Sequence, residues 1–76
     1  MKERNIMLAT INDAKEFVNI ATGYDFEIVL NSGRYAVDGK SIMGIFSLDL
    51  TKPIRVEVYA DDPGLFFSDI QKFKTE

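Results

Sequence analysis

The sequence predicts an α+β domain in the order βαββαβα: a four-stranded antiparallel sheet with three helices on one face, an open-faced β-sandwich. Three observations carry the prediction. Phe26, Ile28 and Leu30, and again Ile54, Val56 and Val58, alternate with polar neighbours at the two-residue period of half-buried strands. Ala14, Phe17, Val18 and Ala21 recur at i, i+3, i+4 and i+7, the period of an amphipathic helix. At 76 residues, 46% hydrophobic and 28% charged, the chain is one domain's worth of material with enough apolar content to fold.

Taken in order, Asn5 to Thr10 carries Ile6, Met7, Leu8 and Ala9 and reads as the first strand, since no helical cap precedes it. The first helix is expected over Ile11 to Thr22, with Gly23 as its stop. The strand around Phe26 to Leu30 is followed by the turn residues Asn31, Ser32 and Gly33 and a return strand from Arg34 to Asp38, which makes a hairpin. Ser41 is placed to cap a short helix from Ile42 to about Leu48, which Gly44 weakens. The fourth strand holds Ile54, Val56 and Val58, with Pro53 at its start where no ladder bond is lost. Asp62 as cap and Pro63 at the first helical position open the last helix. It carries Phe66, Ile70 and Phe73, with Lys72 and Lys74 near its negative end. The expected core is Phe17, Val18, Ala21, Ile28, Leu30, Ile45, Leu48, Val56, Val58, Phe66, Ile70 and Phe73. The open face of the sheet should show Glu27, Val29, Asn31, Arg55, Glu57 and Tyr59.

Composition excludes several functions. The chain has no cysteine and no histidine, which removes disulfides, thiolate nucleophiles, Cys- or His-ligated metals and the usual general base. No metal or other cofactor is implied. Nine Lys and Arg, scattered as singles, face twelve Asp and Glu for a net charge of −3, so counterion-release binding to nucleic acid is not expected. Apolar runs such as Ile42 to Phe46 fall far short of the roughly 20 residues that cross a bilayer. Met1 to Asn5 leads into no signal-type core, so the expectation is a cytoplasmic protein without membrane contact.

Two motifs mislead. Gly39-Lys40-Ser41 looks like the end of a phosphate-binding P-loop, but the first glycine of that motif falls on Arg34, and the chain has no room for the parallel sheet it requires. Asp61-Asp62 reads as a turn and cap, and Asp13 and Glu16 as first-turn charges of the first helix. The remaining Asp, Glu, Lys, Ser, Thr and Tyr form no recognisable catalytic triad, so the chain is not expected to be an enzyme.

The run Val37-Asp38-Gly39-Lys40-Ser41-Ile42-Met43-Gly44-Ile45-Phe46-Ser47-Leu48 resembles the HPr family, the small phosphocarrier proteins of the bacterial sugar phosphotransferase system. In that family a K-S-I-M-G-hydrophobic-x-S-L stretch surrounds a regulatory serine. The ungapped register extends upstream through Phe17-Val18-Asn19-Ile20-Ala21, and βαββαβα is also the family's fold, so the resemblance spans nearly the whole chain.

The departures matter as much. In the family the first strand ends in a Gly-hydrophobic-His-Ala-Arg-Pro-Ala loop whose histidine takes a phosphoryl group from enzyme I. Here the register puts Thr10 at the histidine, Asn12 at the arginine and Asp13 at the proline; only Ala14 survives. A threonine phosphoester is no shuttle, and Asp13 would repel phosphate. What the resemblance retains is Ser41, which in Gram-positive members is phosphorylated by an ATP-dependent HPr kinase/phosphorylase in carbon catabolite repression. A phosphate there would meet free N–H groups of a helix start, with Lys40 alongside. The alternative is that Ser41 is a cap only. By resemblance, Lys40, Ile42, Met43 and Phe46 belong to a surface that contacts enzyme I, the kinase and a transcriptional regulator. The competing reading folds Ile42 and Phe46 back onto the core.

The implied protein is a regulatory module for protein–protein interaction, switched by serine phosphorylation. The resemblance also includes a paralogue that lacks the histidine, keeps the serine and serves catabolite control, although Asn12 puts binding of the same regulator in question. The runner-up is a repurposed structural adaptor whose partner is unrelated to sugar transport. The sequence is compatible with a monomer or with a weak homodimer formed by exchange of the first strand.

Overall fold

A computed structural model describes residues 1–75 of the chain. The elements are β1 (Lys2–Ile6), α1 (Ile11–Ala21), β2 (Glu27–Ser32), β3 (Tyr35–Asp38), α2 (Ile42–Phe46), β4 (Ile54–Tyr59) and α3 (Gly64–Asp69), followed by a 3-10 turn at Gln71–Phe73. The four strands form one antiparallel sheet in the order β1-β4-β2-β3. Register aligns Ile6 with Ile54, Ile28 with Val58, and Leu30 with both Val56 and Val37. All of these except the half-buried Val37 are buried beneath the helices. On the opposite face Glu27, Arg55 and Tyr59 are exposed and Val29, Asn31 and Glu57 half-buried, as the alternation requires. Arg55 lies 3.7 Å from Glu3 and 3.3 Å from Glu57 there.

The expected core is buried apart from Val18, which packs against its margin, and it gains Ile6, Leu8, Ala14 and Ile54. Phe66 anchors α3 by edge-on contacts with Phe17, Tyr24 and Phe26 at ring-centroid distances of 6.0, 5.3 and 5.9 Å. Such arrangements match ring edges to ring faces. Tyr24 also donates its phenol hydrogen to Asp69, and Lys72 pairs with Glu16, so the middle of α1 and the loop that follows it are tied to the C-terminal part of the chain.

Several boundaries differ from expectation for physical reasons. The first strand lies over Lys2–Ile6, not Asn5 to Thr10. As an edge strand with one hydrogen-bonded neighbour it tolerates the charges that hid it, and Arg4 places its guanidinium 4.3 Å above the Phe67 ring. From Asn5 onward the chain also pairs with the C-terminal segment: Thr75 N–H donates to the Asn5 carbonyl (3.1 Å) and Met7 N–H to that of Phe73 (2.8 Å). Arg34 sits in the two-residue turn with Gly33, whose φ of 60° suits glycine, and is not in the return strand. The second helix stops at Phe46, where Ser47 turns its hydroxyl back to the Gly44 carbonyl (2.6 Å).

In the last helix Pro63 is the cap residue, not the first helical one, and Asp62 accepts weakly from Gly64 N–H (3.3 Å). Its pattern of Phe66, Ile70 and Phe73 is shared between α3 and the tighter 3-10 turn. Among the described residues no helix is long and apolar enough to cross a membrane.

Candidate functional site

Two capped helix starts form the candidate site. At α1, Thr10 is extended (φ −133°, ψ 165°) and its Oγ1 accepts from Asp13 N–H at 3.0 Å. The Asp13 carboxylate reaches back and accepts from Ala9 N–H, also at 3.0 Å. Each side chain thus satisfies a backbone donor at the other's end of the first turn, a reciprocal box that places a fixed carboxylate at the positive end of an eleven-residue helix. Thr10 and Asn12 are exposed and Asp13 half-buried. This loop therefore holds its own anion and offers no side chain that forms a labile phosphoramidate.

At α2, Ser41 is the extended cap residue, and its Oγ accepts from Gly44 N–H at 3.1 Å. The preceding chain is held tightly. Ser41 N–H donates to the Asp38 carbonyl (3.1 Å), Lys40 N–H to the Asp38 carboxylate (2.9 Å), and Gly39 N–H to the Ile28 carbonyl (2.8 Å). Gly44 has a packing reason to be glycine: a Cβ there would lie 3.2 Å from Val37 Cβ, so its absence lets α2 lie against β3. A serine hydroxyl offers two lone pairs and one hydrogen, and the cap uses one lone pair, so the oxygen remains chemically available.

The expected surface residues separate. Met43 is 77% exposed and Phe46 42%, both on the outer side of α2, whereas Ile42 is half-buried and packs against the core. Ile42 turns toward α1, where it shares a shallow groove with Lys15, Val18 and Asn19, which for this residue favours the reading that folds it back onto the core. Lys40 points away from Ser41, donating from Nζ to the Tyr24 carbonyl at 2.6 Å in a part-buried site. Ile11, 63% exposed in the first turn of α1, adds apolar surface that the helical stripe does not reveal, since its place three residues before Ala14 continues the buried face. Tyr35, 71% exposed beside the hairpin turn, was legible only as a strand residue.

Two titrating groups, Tyr24 and Asp49, are shifted by their hydrogen bonds. The hydrogen bond to Asp69 holds the Tyr24 phenol above its ordinary range, and hydrogen bonds from Thr51 hold the Asp49 carboxyl below its own. Among the described residues no group of three or more His, Cys, Asp or Glu could hold a metal ion.

A βαββαβα open-faced sandwich carrying a capped short helix after its hairpin defines the architecture of the small phosphocarrier class. The family model for the PTS HPr component phosphorylation site matches residues 10–65, and the chain belongs to the HPr family. Its fold is similar to that of HPr-C-His from Thermoanaerobacter tengcongensis (TM-score 0.80, 25% identity, 95% of this chain and 89% of that one). It is also similar to the phosphocarrier protein HPr from Bacillus anthracis str. Ames (TM-score 0.74, 19% identity, 97% and 96%). No curated protein sequence matches the chain.

Proposed function

We propose that this chain is a single-domain, non-enzymatic and cytoplasmic HPr-like module that cannot carry phosphohistidine and works by docking to proteins, switched by phosphorylation of Ser41 in carbon catabolite control. The observation that carries the reading is the pairing of two features. The 76 residues include no histidine, and Thr10, at the histidine position by register, is occupied as a helix cap with Asp13. Meanwhile the K-S-I-M-G segment keeps a capping serine two residues before the exposed Met43 and five before Phe46. In the proposed reaction Ser41 Oγ attacks the γ-phosphorus of ATP, its hydroxyl hydrogen leaves as a proton, and ADP departs. The partners by family are the HPr kinase/phosphorylase and a transcriptional regulator, with Met43 and Phe46 as contact residues.

The second reading, an adaptor with no phosphorylation, draws support from Lys40. Its ammonium is committed to Tyr24, so the cation beside Ser41 in sequence is not directed at the hydroxyl. The deciding experiment incubates the protein with ATP and a Gram-positive HPr kinase/phosphorylase and reads intact mass, with Ser41→Ala in parallel. One added phosphate, lost in the variant, is the expected result. No added mass, from a kinase active on ordinary HPr, overturns the switch and leaves the adaptor.

A further inference from the structure

We infer that the cleft between the β2–β3 turn and the α2–β4 connection is a docking subsite for a carboxylate-rich segment of a partner polypeptide. The cleft is lined by Ser32, Arg34, Tyr35, Ser47, Asp49 and Lys52. The inference rests on the docking reading above and extends it to the cleft at the C-terminal end of α2, the helix that Ser41 caps at its start.

The charges are the first reason. Arg55 lies between Glu3 and Glu57, and Lys72 pairs with Glu16, but Arg34 has no ion pair among the described residues. Lys52 meets Asp49 only at 4.0 Å and its side chain is 74% exposed. The Asp49 carboxylate is engaged elsewhere, accepting from Thr51 N–H (3.0 Å) and from the Thr51 hydroxyl (2.5 Å). Two weakly compensated cations and one committed carboxylate leave the cleft with a local excess of positive charge on a protein of net charge −3. Such a patch attracts acidic segments and disfavours basic ones.

Presentation is the second reason. Arg34 stands in a two-residue turn whose Gly33 takes φ of 60°, so the backbone that carries it is short and defined. Tyr35 follows, 71% exposed, as a ring beside the cations that can lie against the aliphatic stems of a peptide's glutamates. Ser47, on the far wall, directly follows Phe46, so a chain seated over α2 can continue into the cleft. An open cleft with an aromatic wall suits an extended peptide more than a small inorganic anion, which would favour an enclosed cradle of backbone N–H groups.

The test is a 15N-resolved NMR titration of the whole chain with acetyl-tetraglutamate amide, alongside acetyl-tetralysine amide and inorganic phosphate at matched ionic strength. Expected are saturating shifts at Gly33, Arg34, Tyr35, Ser47 and Lys52 with tetraglutamate alone. Arg34→Glu/Lys52→Glu should raise the apparent Kd by about tenfold, the combined effect of two exposed ion pairs. Lys2→Glu/Lys74→Glu, the same change of charge elsewhere on the surface, should change it less than about twofold. Shifts spread equally over the other lysines, equal loss in both double variants, or the same shifts with inorganic phosphate would overturn the inference. No kinase or ATP enters the titration, so its outcome is separate from whether Ser41 is phosphorylated.

Discussion

Gly39 links the hairpin to Ser41, and its replacement by alanine tests how tightly that link is built. Its N–H donates to the Ile28 carbonyl at 2.8 Å, and an added Cβ would lie 2.7 Å from Ile28 Cγ2, 3.3 Å from Ile28 Cβ and 3.1 Å from the Ile28 carbonyl oxygen. None of these atoms moves freely. Cγ2 branches from the Cβ of a buried strand residue, and the carbonyl is fixed by the same hydrogen bond. Overpacking of this kind costs about 1–3 kcal/mol, and the smaller freedom of alanine in the unfolded chain offsets about 0.4–1 kcal/mol of it. A net loss of about 1–2 kcal/mol lowers Tm by roughly 5–15 °C in a domain of this size. Thermal and urea denaturation followed by circular dichroism should show the loss with an unchanged m-value. In an Ile28→Ala background, where Cγ2 is gone, the same substitution should cost at least about 0.5 kcal/mol less. A Gly39→Ala protein as stable as the parent, or an equal cost in both backgrounds, would refute the reasoning.

Further expectations follow from the caps and the titrating groups. Thr10→Ala removes the acceptor for Asp13 N–H and should cost about 1 kcal/mol in urea denaturation, with Thr10→Ser restoring most of it. Because Asp69 holds the Tyr24 phenol above its usual value of 10.0, the folded state keeps that proton longer than the unfolded state. The resulting stability is complete below that value and is lost as pH rises through the folded pKa. Urea midpoints measured at about pH 8 and about pH 11 should therefore fall more steeply for the parent than for Tyr24→Phe. Asp49 has the opposite sign: its carboxyl lies below its usual 3.8, chiefly through the Thr51 hydroxyl, so its contribution is present above that value and is lost as pH falls through the folded pKa. Thr51→Val should flatten that acid limb in the same assay.

Residues whose surroundings are set by their own segment were legible in the chain. The alternation at Ile28–Leu30 and Ile54–Val58 marked β2 and β4 and told their buried face from their open one, because side chains of a strand switch sides at every residue. The stripe Ala14, Phe17, Ala21 marked α1 in the same way, and Ser41 announced its own cap, because a hydroxyl and the N–H three residues on meet by local geometry alone. The Thr10–Asp13 box is equally local, but only Asp13's place in the first turn is read from the sequence, which assigns Thr10 to the end of the first strand.

Only the tertiary structure decided what depends on neighbours distant in sequence. The charged Lys2–Ile6 segment becomes a strand because β4 supplies its hydrogen bonds and the Phe67 ring receives Arg4, neither of which a local period records. Leu8 is buried outside any strand, and Ile42 is half-buried against the core beside Lys15, Val18 and Asn19 of α1, placements that no local period records. Lys40 looks like Ser41's companion in sequence, yet its ammonium finds a carbonyl sixteen residues upstream, since a part-buried charge goes to the nearest acceptor the fold presents. The turn of the hairpin likewise meets the segment after α2 only in the folded chain. Arg34 and Lys52 are separated along the chain and share a cleft only once β3 is laid against α2, an approach that Gly44 allows by having no side chain.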